Sequence, residues 1–422
     1  MADHRIAVVK AREILDSKAR PMVEVDVWTD SGAIGRGAST CGTSVGRHEA
    51  FVLRDGGARY GGLGVRQAVR NVVEIISPAI CGKSALEQRA IDALMIELDG
   101  TPNKSRLGAN AIYSVSIAVA RAAANSLQVP LYRYLGGAEA TLLPVPMFNM
   151  INGGAHMRME FQEFLLIPVA APTYSEALRA GVEVFSRLGE VISRRYGKDR
   201  LFTGASAGYA APTSEPAGIL DTLLEAAEAG GYGRTCRVGL DCAASQYYDS
   251  AAGCYRFQGR QVTREHMIQW LEELAKSYSL FVIEDPLEED DFEGHAEITR
   301  RLSGLIVGDD LFVTNLGRLK LGISLGAANA MVVKPNMIGT ITEAVDAARY
   351  GKEHGYCLVG SGRAGGSIDD PIPDIAVAVG ASLVKFGAPR TGERLGKQNC
   401  LLRIEEELGD SGRFAGPEIF RA

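Results

Sequence analysis

Three acids that end short apolar runs are the residues of this sequence best suited to chemistry. Asp241, Glu284 and Asp309 each follow such a run, as Glu284 follows Phe281-Val-Ile. Three converging carboxylates repel one another strongly unless a cation lies between them, and ligands that offer only oxygen suit Mg²⁺ or Mn²⁺. The alternative is that each acid is the N-cap of the helix after its strand. Because three acids share one repeat, the pattern predicts a metal site.

Two lysines occupy the same kind of position. Lys334 follows Ala330-Met-Val-Val, and Lys385 follows Ser382-Leu-Val. Beside a metal and a second lysine, the pKa of Lys334 is expected to fall, which suits a general base. Salt bridges from these lysines to the three acids are the alternative interpretation.

The polar residues that end these runs recur at a nearly constant spacing. Glu284 to Asp309 and Asp309 to Lys334 are 25 residues each, Lys334 to Ser361 is 27, and Ser361 to Lys385 is 24. A strand, a helix and two loops occupy about that length, so the spacing predicts βα repeats around a buried parallel sheet. Repeats over roughly 250 residues favour a (β/α)₈ barrel with its active site at the C-terminal ends of the strands. An open doubly wound sheet is the competing fold, but no GxGxxG follows a first strand.

The N-terminal part has a different pattern. Residues 5–30 predict two strands, because Val23, Val25 and Val27 alternate with acids. The Gly-rich segment 35–46 has no regular pattern, and residues 64–137 are rich in helix formers.

Two prolines within residues 142–146 indicate a junction. We therefore predict an N-terminal α+β domain over residues 1–138 that covers the mouth of a C-terminal barrel over residues 139–422.

Composition narrows the class of protein. The chain has 422 residues, 46% of them hydrophobic, which is enough for two domains because single cores stop growing at roughly 250–300 residues. The net charge of −6 argues against non-specific binding to nucleic acid or anionic membranes. The seven cysteines show no zinc spacing, and no apolar run approaches the roughly 20 residues that span a bilayer. A cytoplasmic protein with free thiols is expected.

Ordered segments along nearly the whole chain resemble the enolase family. The segments that carry the resemblance are Arg12-Glu-Ile-Leu-Asp-Ser, Leu98-Asp-Gly-Thr-Pro-Asn-Lys-Ser, Asn149-Met-Ile-Asn-Gly-Gly-Ala-His, Asp241-Cys-Ala-Ala-Ser, Ile283-Glu-Asp, Val307-Gly-Asp-Asp-Leu and Leu401-Leu-Arg-Ile-Glu-Glu-Glu-Leu-Gly. The resemblance implies a barrel that opens β-β-α-α before six βα units, one or two Mg²⁺ ions, a small phosphorylated carboxylic acid as substrate and a homodimer or larger homo-oligomer.

The resemblance also implies a role for each matching residue. Asp241, Glu284 and Asp309 match the ligands of the first Mg²⁺, and Lys334 matches the base that takes the proton alpha to the carboxylate. The remaining matches are to residues that hold the substrate or a second Mg²⁺, or that surround the reacting carbon: Lys385 at the carboxylate, Arg363 at the phosphate, Glu163, His156 and Gln162 around the reacting centre, and Ser44 in a loop at the second Mg²⁺.

The sequence departs from the family on one side of the site. Ser206, in Gly204-Ala-Ser-Ala-Gly-Tyr-Ala-Ala-Pro, stands where the family has the glutamate that helps the β-hydroxyl leave. Gly362 and Ala364 replace a histidine and a serine near the phosphate, and Gln246 replaces a glutamate. The loop between His156 and Glu163 is about two residues shorter than usual for the family. Drift in an inactive copy is one explanation, but the metal ligands and both lysines survive, which favours altered chemistry.

Three functions follow from this pattern. The first is carboxyphosphonoenolpyruvate synthase, a relative of enolase in phosphinothricin-type phosphonate biosynthesis that joins an enolpyruvyl unit to a nucleotide-activated phosphonoformate. The smaller Ser206, Gly362 and Ala364 would leave room for that partner. The second is phosphopyruvate hydratase, which dehydrates 2-phosphoglycerate with another acid such as Glu163 or Glu160. The third is an inactive enolase copy with a binding role.

Overall fold

The computed structural model describes residues 4–42, 45–154, 159–204 and 206–416. These residues form an N-terminal α+β part and a closed barrel of eight strands. Among them, no helix has both the length and the apolar character needed to cross a membrane.

The N-terminal part is an antiparallel three-stranded sheet packed against helices. The strands are β1 (Ile6–Leu15), β2 (Pro21–Thr29) and β3 (Ile34–Ser39), paired in that order. The helical segments are Arg66–Asn71, Val72–Ile76, Ser77–Ile80, α1 (Gln88–Asp99), α2 (Ala109–Ser126) and α3 (Leu131–Gly136). The predicted alternation in β2 is confirmed, since Val23, Val25 and Val27 are fully buried.

Strand β3 occupies a segment in which the sequence showed no regular pattern. Two glycines explain the difference. A Cβ at Gly35 would lie 2.0 Å from the carbonyl oxygen of Ala118, and one at Gly37 would lie 2.1 Å from Ile117 Cγ2. The strand runs so close to α2 that only glycine fits at these positions, and this tertiary requirement leaves no period in the local sequence.

The C-terminal part confirms the predicted barrel. Its strands are β4 (Val145–Gly154), β5 (Met159–Ile167), β6 (Arg237–Asp241), β7 (Val282–Glu284), β8 (Leu305–Gly308), β9 (Ala330–Val333), β10 (Cys357–Ser361) and β11 (Leu383–Lys385). Strand β5 runs antiparallel to β4 and β6, all later neighbours are parallel, and β11 pairs with β4 to close the barrel.

The barrel helices follow the unusual order that the resemblance implied. They are α4 (Tyr174–Tyr196), α5 (Pro216–Ala229), α6 (Arg264–Tyr278), α7 (Phe292–Arg301), α8 (Leu316–Leu325), α9 (Ile341–Glu353), α10 (Ile372–Val379) and α11 (Gly392–Leu408), with a short helix at Pro335–Ile338. Helices α4 and α5 both follow β5, so the order is β-β-α-α and then six βα units.

The remaining short strands are not among the eight strands of the barrel. Tyr209–Ala210 pairs with β4, and Leu142–Leu143 pairs with Arg413–Phe414. A three-stranded ribbon is formed by Tyr248–Asp249, Cys254–Phe257 and Arg260–Val262.

Apolar side chains fill the barrel interior below the mouth. Val145, Ile167, Val307 and Leu383 belong to one buried cluster inside the barrel. Because the parallel strands all end at the same rim, the residues that end them are brought together above this core.

Candidate active site

A cavity of about 350 Å³ lies at the C-terminal ends of the barrel strands. It is lined by eleven residues that the sequence singled out: Gln162, Glu163, Ser206, Asp241, Gln246, Asp309, Lys334, Gly362, Arg363, Ala364 and Lys385. Glu284 is fully buried at the same rim. The residues that end the barrel strands therefore place their charged side chains in one pocket.

The three predicted metal ligands lie on adjacent strands. Asp241 and Glu284 are register partners of β6 and β7. Ligand atoms of Glu284, Asp285 and Asp309 all lie within 4.8 Å of one another. None of the three predicted acids caps a helix, because the N-caps of α6, α7 and α8 are Thr263, Asp291 and Asn315. The N-cap alternative is therefore wrong for these acids.

Asp285 is a buried residue of this site to which the sequence analysis assigned no role. Its carboxylate accepts backbone N–H groups of Asp309 at 3.0 Å and Asp310 at 2.8 Å, and it lies in the left-handed region at φ 42°. These bonds fix the chain just after β8 and so orient the Asp309 carboxylate. In the sequence, Asp285 was marked only by its place after Glu284 in Ile283-Glu-Asp, which does not indicate a role for it.

The chemistry of these oxygens fits a divalent cation. The carboxylate oxygens of Asp241, Glu284 and Asp309 suit a hard ion such as Mg²⁺. The buried Asp309 Oδ1 has no hydrogen-bond donor within the described ranges. A buried carboxylate oxygen of this kind is satisfied by a cation or by a ligand group.

Lys385 stands among the carboxylates. Its Nζ donates to Asp241 Oδ2 at 2.9 Å and to both Glu284 oxygens at 2.7 Å, and it lies 3.5 Å from Glu163 Oε2. Burial lowers the pKa of Lys385, but the carboxylates of Asp241 and Glu284 raise it more. The pKa of Lys385 therefore lies well above its usual value. The carboxylates of Asp241 and Glu284 therefore favour the charged form of Lys385 at the base of the pocket.

Lys334 forms a buried ion pair with Asp309. Its backbone N–H donates to Thr314 Oγ1 at 2.9 Å, which fixes the end of β9. The sequence predicts a lowered pKa beside a bound metal and a second lysine, and for the metal-bound site that stays a prediction; among the protein's own groups the direction is the opposite. Burial does lower the pKa of Lys334, but the charges of Asp309 and Glu284 outweigh burial and raise it above the usual value. The salt bridge to one of the three acids, which was the alternative interpretation of the sequence, is present here as the pair of Lys334 with Asp309.

A chain of amides leads from the surface to a carboxylate. Gln246 Nε2 donates to Gln162 Oε1 at 2.5 Å, and Gln162 Nε2 donates to Asp241 Oδ2 at 3.0 Å. Glu163 is the register partner of Asp241 on β5. Its side chain is buried, and its Oε2 has no hydrogen-bond donor in the part of the chain that the structure describes.

Arg363 is held by a partner that the sequence did not suggest. Its Nη2 donates to Glu49 Oε1 at 2.9 Å, and its Nη1 bonds the other Glu49 oxygen. A Cβ at Gly42 would lie 2.2 Å from the guanidinium nitrogens. A loop of the N-terminal part therefore packs on the barrel mouth, and this pair links residues 314 positions apart.

The Ser206 side of the pocket carries small side chains. The Ser206 carbonyl accepts the N–H of Ala388 at 3.3 Å, and the Ala364 carbonyl accepts Arg20 Nη2 at 3.1 Å. A Cβ at Gly362 would lie 2.9 Å from Lys397 Cε. Arg394 also lines the cavity, and the sequence reasoning missed it because it begins a helix rather than ending a strand.

Two predicted residues lie outside the described residues. His156 falls in the gap 155–158, and Ser44 falls in the gap 43–44. The shortened loop between β4 and β5 falls in the first gap as well. Their roles stay predictions.

Comparison with known proteins identifies a family for both parts of the chain. Residues 6–135 match the family described as the N-terminal domain of enolase, and residues 140–422 match its C-terminal TIM barrel domain. An enolase of Methanopyrus kandleri is 51% identical over 419 residues, 98% of this chain and 98% of that protein. An enolase of Acidothermus cellulolyticus is 49% identical over 421 residues, 98% of this chain and 97% of that protein. Neither name refers to a phosphonate.

Proposed function

This chain belongs to the enolase family, and from that premise we propose that it removes the proton alpha to the carboxylate of 2-phosphoglycerate, with Lys334 as the base. The observation that carries the proposal is the arrangement of two buried lysines and three buried carboxylates at one barrel mouth. Four of these five groups, Asp241, Asp309, Lys334 and Lys385, line the cavity, where a substrate can meet them.

The residues divide the task between them. Lys334 takes the proton from Cα, and the bonding electron pair moves into the carboxylate to give an enolate. Lys385, held as a cation by its carboxylate neighbours, stabilises the growing negative charge on the substrate carboxylate. Arg363 binds the phosphate, which requires it to share or exchange its bond to Glu49.

We propose that Asp241, Glu284 and Asp309 hold Mg²⁺, with Asp285 fixing the Asp309 loop. When bound, the cation supplies Lewis-acid stabilisation of the enolate. Asp309, which keeps the pKa of Lys334 high, would hold that proton less strongly once its oxygens ligate a cation.

For the second half of the reaction, the comparisons favour phosphopyruvate hydratase, because the relatives are named enolase. Loss of the β-hydroxyl as water then needs an acid other than Ser206. Glu163 lines the cavity and is the candidate. Glu160 is less suited, since it accepts the backbone N–H of Gln258 at 2.8 Å and does not belong to the cavity lining.

The second candidate is carboxyphosphonoenolpyruvate synthase, which the comparisons do not support. One observation favours it: Ser206, Gly362 and Ala364 all line the cavity with side chains smaller than the family's. In that reaction the enol oxygen would attack phosphorus of a nucleotide-activated phosphonoformate, and the nucleotide would leave.

Proton and phosphorus NMR of 2-phosphoglycerate with the protein and Mg²⁺ in D₂O tests these proposals. Phosphoenolpyruvate formed at an enolase-like rate supports the hydratase. Exchange of the α-proton with little elimination supports the base and the metal but not the hydratase, and activated phosphonoformate is then added to look for a new phosphorus signal. No exchange at all would leave only the inactive copy with a binding role.

We also propose a cytoplasmic homodimer, on the resemblance to the family. Light scattering coupled to size exclusion tests the oligomeric state, and a monomer at micromolar concentration would overturn it.

A further inference from the structure

Glu49 is a buried acid of the N-terminal part that contacts the active site without lining it. Its side chain is only 2% exposed, and it does not belong to the cavity lining in the part of the chain that the structure describes. Both of its oxygens are bonded to a group that does line the cavity. Oε1 accepts Arg363 Nη2 at 2.9 Å, and Oε2 pairs with Arg363 Nη1. Glu49 therefore reaches the cavity through Arg363.

The barrel holds the chain on both sides of Glu49. The next residue, Ala50, donates its N–H to the Met337 carbonyl at 2.8 Å, and Met337 lines the cavity. Two positions before Glu49, Arg47 donates to Glu289 from its backbone N–H at 3.0 Å and from its Nε at 2.7 Å. The position of the Glu49 carboxylate relative to the barrel mouth is therefore fixed.

The main chain beside Arg363 is fixed by a different contact. Arg20 Nη2 donates to the Ala364 carbonyl at 3.1 Å, and Arg20 Nε donates to Asp16 Oδ2 at 2.9 Å. An arginine side chain has many rotamers, so a fixed main chain does not by itself determine where the guanidinium lies. The two bonds to Glu49 determine it, because a fork of two parallel hydrogen bonds sets both position and orientation.

The pair of Glu49 and Arg363 is expected to persist when a phosphate binds. If Arg363 left Glu49, the buried carboxylate would keep, among the described residues, the N–H of Gly46 at 2.9 Å, and a buried charge without its counter-charge is costly. A guanidinium carries five N–H donors, and Glu49 takes one from each terminal nitrogen. One guanidinium can therefore hold Glu49 and a phosphate at the same time.

We propose that Glu49 is a positioning residue for substrate binding, which orients the Arg363 guanidinium so that the phosphate binds to the intact Arg363–Glu49 pair. This assignment deepens the proposed function and rests on it in one respect, namely that Arg363 meets the phosphate of 2-phosphoglycerate. The sign of the effect distinguishes it from competition. A carboxylate that only competed with the phosphate, or only repelled it, would weaken binding, so its removal would tighten binding.

Equilibrium dialysis against 2-phosphoglycerate and Mg²⁺, with all bound ligand counted, tests the assignment whether or not turnover occurs. Glu49→Gln keeps the shape of the side chain but replaces one acceptor oxygen with an N–H₂ donor, which faces the donors of Arg363. Binding should weaken about 10- to 100-fold, the range for a charge-assisted hydrogen bond. Unchanged or tighter binding in the Glu49→Gln protein would overturn the proposal.

Glu289→Gln is the matched control. It removes a second buried glutamate from the contact between the same segment and the barrel, but its partner Arg47 does not line the cavity among the described residues. Thermal unfolding should show both variants destabilised, whereas 2-phosphoglycerate binding in the Glu289→Gln protein should stay within about 3-fold of wild type. Equal loss of binding in the two variants would assign the effect to packing of the segment and would overturn the proposal.

Glu49→Asp keeps the charge on a side chain one methylene shorter. Part of the affinity lost in the Glu49→Gln protein should return, because the carboxylate can still accept from one guanidinium nitrogen. No recovery relative to Glu49→Gln would count against a role for the carboxylate.

A double-mutant cycle tests whether Glu49 acts through Arg363. Adding Glu49→Gln to the Arg363→Gln protein should cause no further loss of binding, whereas two independent losses would multiply and would overturn the proposal. Failure of the proposed function has a different signature. It is seen as absent α-proton exchange in the wild-type protein, whatever the order of affinities among these variants.

Discussion

The two walls of the active-site cavity differ in the size of their side chains and in how their charges are paired. The paired wall, made of Asp241, Glu284, Asp309, Lys334 and Lys385, joins its charged groups to one another by ion pairs at strand ends. The open wall, made of Ser206, Gly362, Ala364, Gly387 and Arg394, has small side chains and one arginine with a single hydrogen bond among the described residues. The first wall holds a fixed pattern of paired charges, whereas the second is made of small side chains and one arginine that lies 3.4 Å from Glu393 Oε1.

This contrast bears on how a family site changes its chemistry. The side chains of the paired wall are fixed at the ends of barrel strands. Removing one lysine or carboxylate would leave its buried partner without a compensating charge. Ser206, Gly362, Ala364 and Gly387 of the open wall lie on connecting segments, where side chains can shrink without breaking an ion pair. Proton abstraction can therefore persist while the group that leaves or attacks changes.

The strongest test of the paired wall is Lys334→Gln. Removing the base should slow exchange of the α-proton of 2-phosphoglycerate by about 10³-fold, within the usual range for a general base. Deuterium incorporation in D₂O measures it. Lys352→Gln, at an exposed lysine of α9, is the matched control and should exchange as the wild type does.

Mg²⁺ titration of the Lys334→Gln protein guards against a folding artefact. Retained metal binding with lost exchange supports the assignment of the base. An exchange rate within 3-fold or so of wild type would mean that another group takes the proton.

The next largest effect is expected for Glu284→Gln. Replacing one charged oxygen ligand should weaken Mg²⁺ binding by at least about 100-fold, since even residues behind the ligands cost about 10- to 100-fold. Calorimetric titration with Mg²⁺ measures the change. The exposed Glu265→Gln is the control. Equal affinities in the Glu284→Gln and wild-type proteins would contradict the assignment of Glu284 as a metal ligand. The paired wall would then be a network of salt bridges without a metal site.

Ser206→Glu turns the open wall toward the family pattern. A carboxylic acid at this position should raise the ratio of phosphoenolpyruvate formed to α-proton exchanged by about 10- to 100-fold, because it can protonate the leaving hydroxyl. Phosphorus and proton NMR of one reaction give both quantities. Ser206→Gln has nearly the same shape without the acid and should not gain elimination. If both variants leave the ratio unchanged, elimination does not depend on an acid at this wall.

The two walls were also unequally predictable from the sequence. The paired wall was found because Glu284, Asp309 and Lys334 recur every 25 residues, and that period is a property of the local chain. The barrel and its β-β-α-α opening followed from the repeat and the family resemblance. Distances are not encoded in that period, so it did not say which of the acids pairs with Lys334.

Contacts between distant segments explain the rest. The pair of Arg363 with Glu49 joins the barrel to the N-terminal part. Strand β3 depends on the approach of Gly35 to α2. Arg394 enters the cavity from a helix start and has no strand-end signature. Each of these depends on tertiary packing, which a single sequence does not state.

The smallest expected effect concerns the phosphate end of the open wall. Ala364→Ser restores a hydroxyl next to Arg363 and should tighten binding of 2-phosphoglycerate about 2- to 10-fold, the usual value of one hydrogen bond. Ala364→Val adds volume without a donor and should not tighten binding. If both variants weaken binding equally, space matters more than hydrogen bonding at this position. The open wall would then be shaped for a larger ligand, which is the difference that separates it from the paired wall.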